Sequence, residues 1–238
     1  MPDLLRRKVV PPSQEAISRW VDRADAVLVG HTHFDHALDV PGIARRTGCT
    51  VYGSQSLANL MHLYKLGEQA VVVEPHHDYE VGPFKFHFVP SQHSKLQLGL
   101  RVPAGGELTC DHVDHLTPQA YRCGQVWGIH IAVGGMTFYH QGSADFVEDE
   151  LRDRNVDVFL CGIAGRRFTP KYVERIVTKL APSMIVPTHY DDFFRRLDDR
   201  MQFSFNVNFT SFADEVRAAS RQLPLHTLEL GVTCRSTG

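Results

Sequence analysis

The sequence predicts an α/β fold, with helices between strands and with polar loops at the strand ends, on three observations. Short apolar runs recur between segments of helical periodicity along all 238 residues. One such run, Ala26-Val27-Leu28-Val29-Gly30, reads as a buried strand of a parallel sheet and leads directly into His31-Thr32-His33-Phe34-Asp35-His36. Hydrophobic content of 43% and charged content of 22% suit an ordinary globular protein, long enough to bury one good core. No linker, low-complexity segment or short repeat divides the chain, so residues 1–238 are read as a single domain.

The elements follow in order. Residues 13–23 read as a helix, with Ser13 as its N-cap and Ile17, Trp20 and Val21 on one face. The strand at 26–30 comes next, then a weaker helix over 37–48, whose Pro41 falls near its start, where proline is tolerated. A short strand at 50–53 precedes a helix over 54–66, which Gly67 is expected to end. Residues 71–73 form another strand. Phe84, Phe86 and Phe88 alternate with Lys85 and His87, so 79–90 is predicted as one strand delivering Ser91-Gln92-His93-Ser94.

Residues 96–124 lack periodicity and read as a functional loop or lid. Two strands, 127–133 and 136–140, meet at Gly134-Gly135, a strong hairpin signal. A helix is expected at 146–155 and a strand at 156–161. The clearest helix is 169–180, capped by Thr169, with Pro170 in its first turn and Val173, Ile176, Val177 and Leu180 inward. A strand at 184–187, a helix at about 211–222 and a strand at 226–232 complete the pattern.

The run from His31 to His36 packs four nitrogen or carboxylate donors into six positions, a set suited to zinc, manganese or iron. On a helix His31 and His33 would diverge, whereas on an extended segment they point to the same side. The carboxyl end of a central strand is where open α/β sheets place their sites. The competing reading, surface histidines in a polar loop, does not account for the buried strand that leads into them.

Other strand ends carry matching residues: Pro90-Ser91-Gln92-His93-Ser94, Gly142-Ser143-Ala144-Asp145-Phe146 and Val186-Pro187-Thr188-His189. Taken in order, these motifs resemble the metallo-β-lactamase superfamily over about residues 26–232. The resemblance is nearest to the branch containing L-ascorbate-6-phosphate lactonase and N-acyl phosphatidylethanolamine phospholipase D. It implies an αββα sandwich of two mixed β-sheets with helices on the outer faces. It also implies that His31, His33 and His93 hold one metal, and that Asp35, His36 and His189 hold a second.

Two departures from the family pattern stand out. Ser143 occupies the place of the usual bridging aspartate, so Asp145 is taken as the bridge. Family members normally open with a β-hairpin, whereas this chain begins nearly at its first helix. That implies either a start further upstream or a first sheet lacking its outer strands, whose exposed edge a second subunit would cover.

The chemistry implied is metal-dependent hydrolysis of a small ester, lactone or phosphodiester by a metal-activated hydroxide. The cofactor would be one or two Zn2+ ions, with Mn2+ or Fe accepted by the same donors. Asp35 would orient the nucleophile as well as bind metal. His112 and His115, in the 96–124 loop, are expected to contact substrate. His130, His140, Tyr190, Asp191 and Lys95 lie near the site by sequence. An iron-dependent oxidative enzyme and a non-catalytic metal-binding module are the alternatives.

At a net charge of -2 no basic surplus points to nucleic acid or to an anionic membrane, and neither is expected as a partner. No run approaches the length of a membrane span, and no secretory signal opens the chain. Five scattered cysteines without a Cys-x-x-Cys pair read as reduced thiols in a cytoplasmic protein.

Overall fold

The computed structural model describes residues 8–96, 100–195, 199–204 and 207–228. Strands β1 (Ala26–Leu28), β2 (Thr50–Gly53) and β3 (Ala70–Val72) form a three-stranded sheet in that order, parallel throughout. Strands β4 (Asp78–Val81), β5 (Phe84–Ser91), β6 (Val126–Val133), β7 (Met136–Gln141), β8 (Val158–Gly162) and β9 (Met184–Thr188) form a second sheet, also in sequence order. It is antiparallel from β4 to β7 and parallel from β7 to β9. The smaller sheet is therefore purely parallel, not mixed, among the described residues.

Side-chain alternation builds the layers. In β2, Val51 joins a core with Ala37, Ala44, Leu57, Leu60 and Met61, under helices α2 (Phe34–Ala37), α3 (Val40–Thr47) and α4 (Gln55–Leu63). Its neighbour Tyr52 packs with Leu28 against Phe86, Phe88, Trp127 and Ile129 of the other sheet. The larger sheet's far side buries Tyr139, Phe159, Cys161 and Ile185 against α5 (Tyr172–Leu180) and α6 (Phe209–Ala219). The result is an αββα sandwich. In α5, Val173, Ile176, Val177 and Leu180 are all buried, each contributing roughly 1.5–3 kcal/mol.

Several expectations require correction. Helix α1 (Gln14–Trp20) is capped by Ser13 and buries Ile17, but Trp20 is exposed. Tyr64, not Gly67, caps α4, and Gly67 opens a 3-10 turn. The segment 79–90 is two strands, because Gly82 at φ 56° turns the chain between β4 and β5. Lys171, in the left-handed region, caps α5 in place of Thr169.

No helix forms at 146–155. Tertiary partners claim its charged side chains: Arg175 donates to Glu148, His76 pairs with Glu150, and His87 with Asp153. The hairpin at Gly134-Gly135 forms in the expected register, Val133 opposite Met136. The strand expected at 226–232 is not formed in its described part, 226–228, which is joined to β9 by one backbone bond, His226 N–H to Ile185 O at 2.9 Å; residues 229–238 lie outside the described set. Among the described residues no strand flanks β1 on its outer side, and no helix is long and apolar enough to cross a membrane.

Candidate metal centre

The carboxyl end of β1 is locked from both sides. Trp127 N–H donates to Gly30 O at 2.8 Å, and Thr32 donates to Cys123 O through its amide (2.9 Å) and its hydroxyl (3.1 Å). Thr32 is thereby fixed between His31 and His33. His33 then occupies the N-cap position of α2, which places Asp35 and His36 in that helix's first turn. His93 follows the end of β5, where Ser94 N–H donates to Ser143 Oγ at 3.1 Å. His189 follows β9 at φ 52°, a left-handed backbone that a non-glycine residue adopts at a cost of roughly 1 kcal/mol or more.

The donor atoms of His31, His33 and His93 lie within 4.8 Å of one another, and so do those of Asp35, His36 and His189. The two trios adjoin: the His31 and His36 rings are 3.9 Å apart between centroids. Neighbouring carbonyls fix two tautomers. His33 Nε2 donates to Pro103 O at 2.8 Å and His93 Nδ1 donates to Ser94 O at 2.7 Å. Each ring's other nitrogen therefore keeps its lone pair.

Burial pushes His31 well below its ordinary pKa, with neighbouring imidazoles adding to the effect. Burial likewise lowers His36 to about 3 and His93 to about 4. Asp35 would be raised by burial, but His36 and His189 overcome this and hold its carboxyl below the usual range. For His189, burial is outweighed by the hydrogen bond to Asp35 (Nε2 to Oδ2, 3.2 Å), and its pKa rises. At neutral pH most of these nitrogens are therefore free of a second proton.

The donor set fits a cation. Both ring nitrogens of His31, and Nε2 of His36, are buried without a hydrogen-bond partner. His36 Nε2 lies 3.4 Å from Asp35 Oδ2, without hydrogen-bond geometry. Each such orphaned group costs roughly 1–3 kcal/mol unless something ligates it. Borderline divalent cations are bound by imidazole nitrogen and carboxylate oxygen.

The second trio opens onto a pocket of about 240 Å³, whose lining also includes His140, Gly142 and Phe193. Burial, then His189, holds His140 at about 4. His140 belongs in this wall although the sequence offered it only as a neighbour; its signal was its place at the end of β7. Gly162 lets β8 approach that wall, since a Cβ there would sit 2.5 Å from Gln141 O.

Three sequence candidates lie elsewhere. Asp145 joins neither trio: its Oδ1 accepts from Phe146 N–H at 2.9 Å, and burial raises its pKa. His112 and His115 are exposed and pair with Asp114 and Asp111 at 3.2 Å, away from the pocket lining. The loop that carries them is packed down by buried Leu108, Leu116 and Tyr121. Its Pro103 and Cys123 carbonyls brace His33 and Thr32 from behind.

A family model described as the beta-lactamase superfamily domain matches residues 9–189. A protein of Carboxydothermus hydrogenoformans named as a metal-dependent hydrolase is 31% identical over 176 residues, which span 71% of this chain and 67% of the relative. Two solved structures share the fold. Igni18, a metallo hydrolase from Ignicoccus hospitalis, has a TM-score of 0.55 at 17% identity, covering 97% of this chain and 87% of its own. YhfI from Bacillus subtilis, a metallo-β-lactamase fold protein, has a TM-score of 0.56 at 15% identity, covering 86% and 74%.

Proposed function

The chain belongs to the metallo-β-lactamase superfamily, and on that premise we propose that it is a metal-dependent hydrolase of a small ester, lactone or phosphodiester. One observation carries the proposal: five imidazoles and one carboxylate from three strand-end loops converge, with buried nitrogens left unpartnered. In this reading His31, His33 and His93 hold one cation and Asp35, His36 and His189 a second. Zinc is the expected ion, and manganese or iron suit the same donors.

When bound, such cations supply a hydroxide nucleophile at neutral pH and neutralise charge that develops on the substrate. The protein supplies the rest. Pro103 and Ser94 aim His33 and His93 through their carbonyls. Asp35 stays ionised and positions His189. Phe193 gives the pocket an apolar wall, and His140 a neutral polar one. The pocket's modest volume suits a small molecule. Asp145 acts in this reading as an anchor for its own turn, and the 238 residues work as one domain.

The test strips the protein of metal and reloads it separately with Zn2+, Mn2+ and Fe2+. Each form is assayed on a p-nitrophenyl ester, a γ-lactone and bis(p-nitrophenyl) phosphate. Metal-dependent turnover of at least one substrate is expected. No turnover by any loaded form would overturn the proposal, as would oxygen consumption by the iron form without hydrolysis.

A further inference from the structure

A second group of donors sits on the outer face of the six-stranded sheet and shares no residue with the centre described above. His87 and His130 are register partners across β5 and β6. Both point away from the inter-sheet core that Phe86, Phe88 and Ile129 enter. Their rings stack with centroids 4.8 Å apart and planes 18° apart. Asp153, on the irregular 146–155 segment, reaches over both. Its Oδ2 lies 3.1 Å from His87 Nε2 and its Oδ1 lies 4.0 Å from His130 Nε2. One donor atom from each of the three falls within 4.8 Å of the others.

His87 is held between two carboxylates. Asp78, its register partner on β4, places Oδ1 3.4 Å from His87 Nδ1, opposite the Asp153 contact. A carboxylate on the far nitrogen is the arrangement that aims a metal-binding histidine and fixes its tautomer. With the proton on Nδ1 facing Asp78, the Nε2 lone pair would meet Asp153 head-on. That contact is favourable only with a positive charge between the two.

We propose that His87, His130 and Asp153 form a site for a borderline divalent cation, with zinc the best match, that clips the 146–155 segment onto the sheet. Tetrahedral zinc, with bonds of about 2.0–2.1 Å, needs donors roughly 3.3 Å apart. The His87 Nε2–Asp153 Oδ2 edge already has about that length, and the three donor atoms, now within 4.8 Å of one another, close to it when His130 turns out of its stack on His87 so that both lone pairs meet the ion. Water completes the set. The side chains are 16–18% exposed, enough for an ion to enter. His76 and Glu150, paired at 2.8 Å, flank the site and hold the same segment a second time. The site also fits the missing helix, since Asp153 is held on the sheet and not in a helical turn.

The test counts zinc. Full-length protein is equilibrated with buffered Zn2+ and its content measured by mass spectrometry, for the wild type, His130→Gln, Asp153→Asn, and a double variant of the main centre, His33→Ala with His189→Ala. His130→Gln and Asp153→Asn are each expected to hold one zinc fewer than the wild type. The centre double variant should still bind one zinc and gain thermal stability from it. Adding His130→Gln to that double variant should remove both effects. Uptake of no zinc by the centre double variant would overturn the proposal without depending on how the cluster variants fold. So would wild-type zinc content in folded His130→Gln and Asp153→Asn, and a proton on His87 would then hold the cluster together.

Discussion

The two donor trios of the centre share loops and adjoin one another, yet they differ in what surrounds them. His31, His33 and His93 are all imidazoles; His31 and His33 are only 2% and 8% exposed, and none of the three lines the pocket. Backbone carbonyls set the orientation of His33 and His93. Asp35, His36 and His189 include a carboxylate, are 11–19% exposed at their side chains, and line the pocket. The deep trio is organised by backbone carbonyls, Pro103 for His33 and Ser94 for His93, and the open trio by its own charge. The lesson is a division of labour: in our reading, one half retains its ion and the other meets substrate.

The largest expected effect comes from the deep half. His33→Ala should abolish metal-dependent turnover and lower the bound metal, with an unchanged far-UV circular dichroism spectrum. Full activity in that variant would break the comparison, because the deep trio would then be dispensable.

Acid should next separate the halves. The unfolded chain protonates its histidines near pH 6.5, whereas burial holds folded His31, His36 and His93 lower. Between those values the unfolded state binds more protons, so the stability of the metal-free protein falls as pH drops from about 6.5 toward 4. At about 1.4 kcal/mol per pKa unit for each group, the loss should reach several kcal/mol. His189 has the opposite sign, since its folded pKa is raised. Its contribution is present below about pH 6.5 and is lost as pH rises through the folded value. Thermal melts of the stripped protein should show the acid loss, and Asp35→Asn, which removes the carboxylate that raises His189, should steepen it. A flat profile would mean the imidazoles are not buried and neutral.

Smaller effects sharpen the open half. Asp35→Asn should cut kcat/KM by roughly 100-fold or more, while Asp145→Asn should cost less than about tenfold. Equal losses would restore Asp145 as a bridging ligand. His112→Ala and His115→Ala should leave kcat/KM within about twofold, and a loss in either would show that their loop reaches the substrate.

Much of this was legible in the chain itself. The apolar run before His31 located β1, and period-2 spacing located β5. Gly134-Gly135 located the hairpin, and the spacing of Val173, Ile176, Val177 and Leu180 located the buried stripe of α5. Three of the four strand-end motifs named the six converging side chains. Most of what was not legible depended on partners distant in sequence. Residues 146–155 read as a helix, but Arg175, His76 and His87 hold Glu148, Glu150 and Asp153 instead. Asp145 resembled a ligand by position, but its own Phe146 amide was the nearer partner. The loop at 96–124 read as a lid because its anchors Leu108, Leu116 and Tyr121 are spread too thinly to show a period.

His31 and His189 stand far apart in the chain, on loops that follow the first and last strands of the two sheets. A growing polypeptide therefore exposes most of its histidines long before β9 emerges to complete the pocket side. Contacts so distant in sequence form late and slowly, because their loops must close first. In our reading, an ion held by both trios would therefore not template the whole centre early, and full loading would follow the meeting of the two sheets.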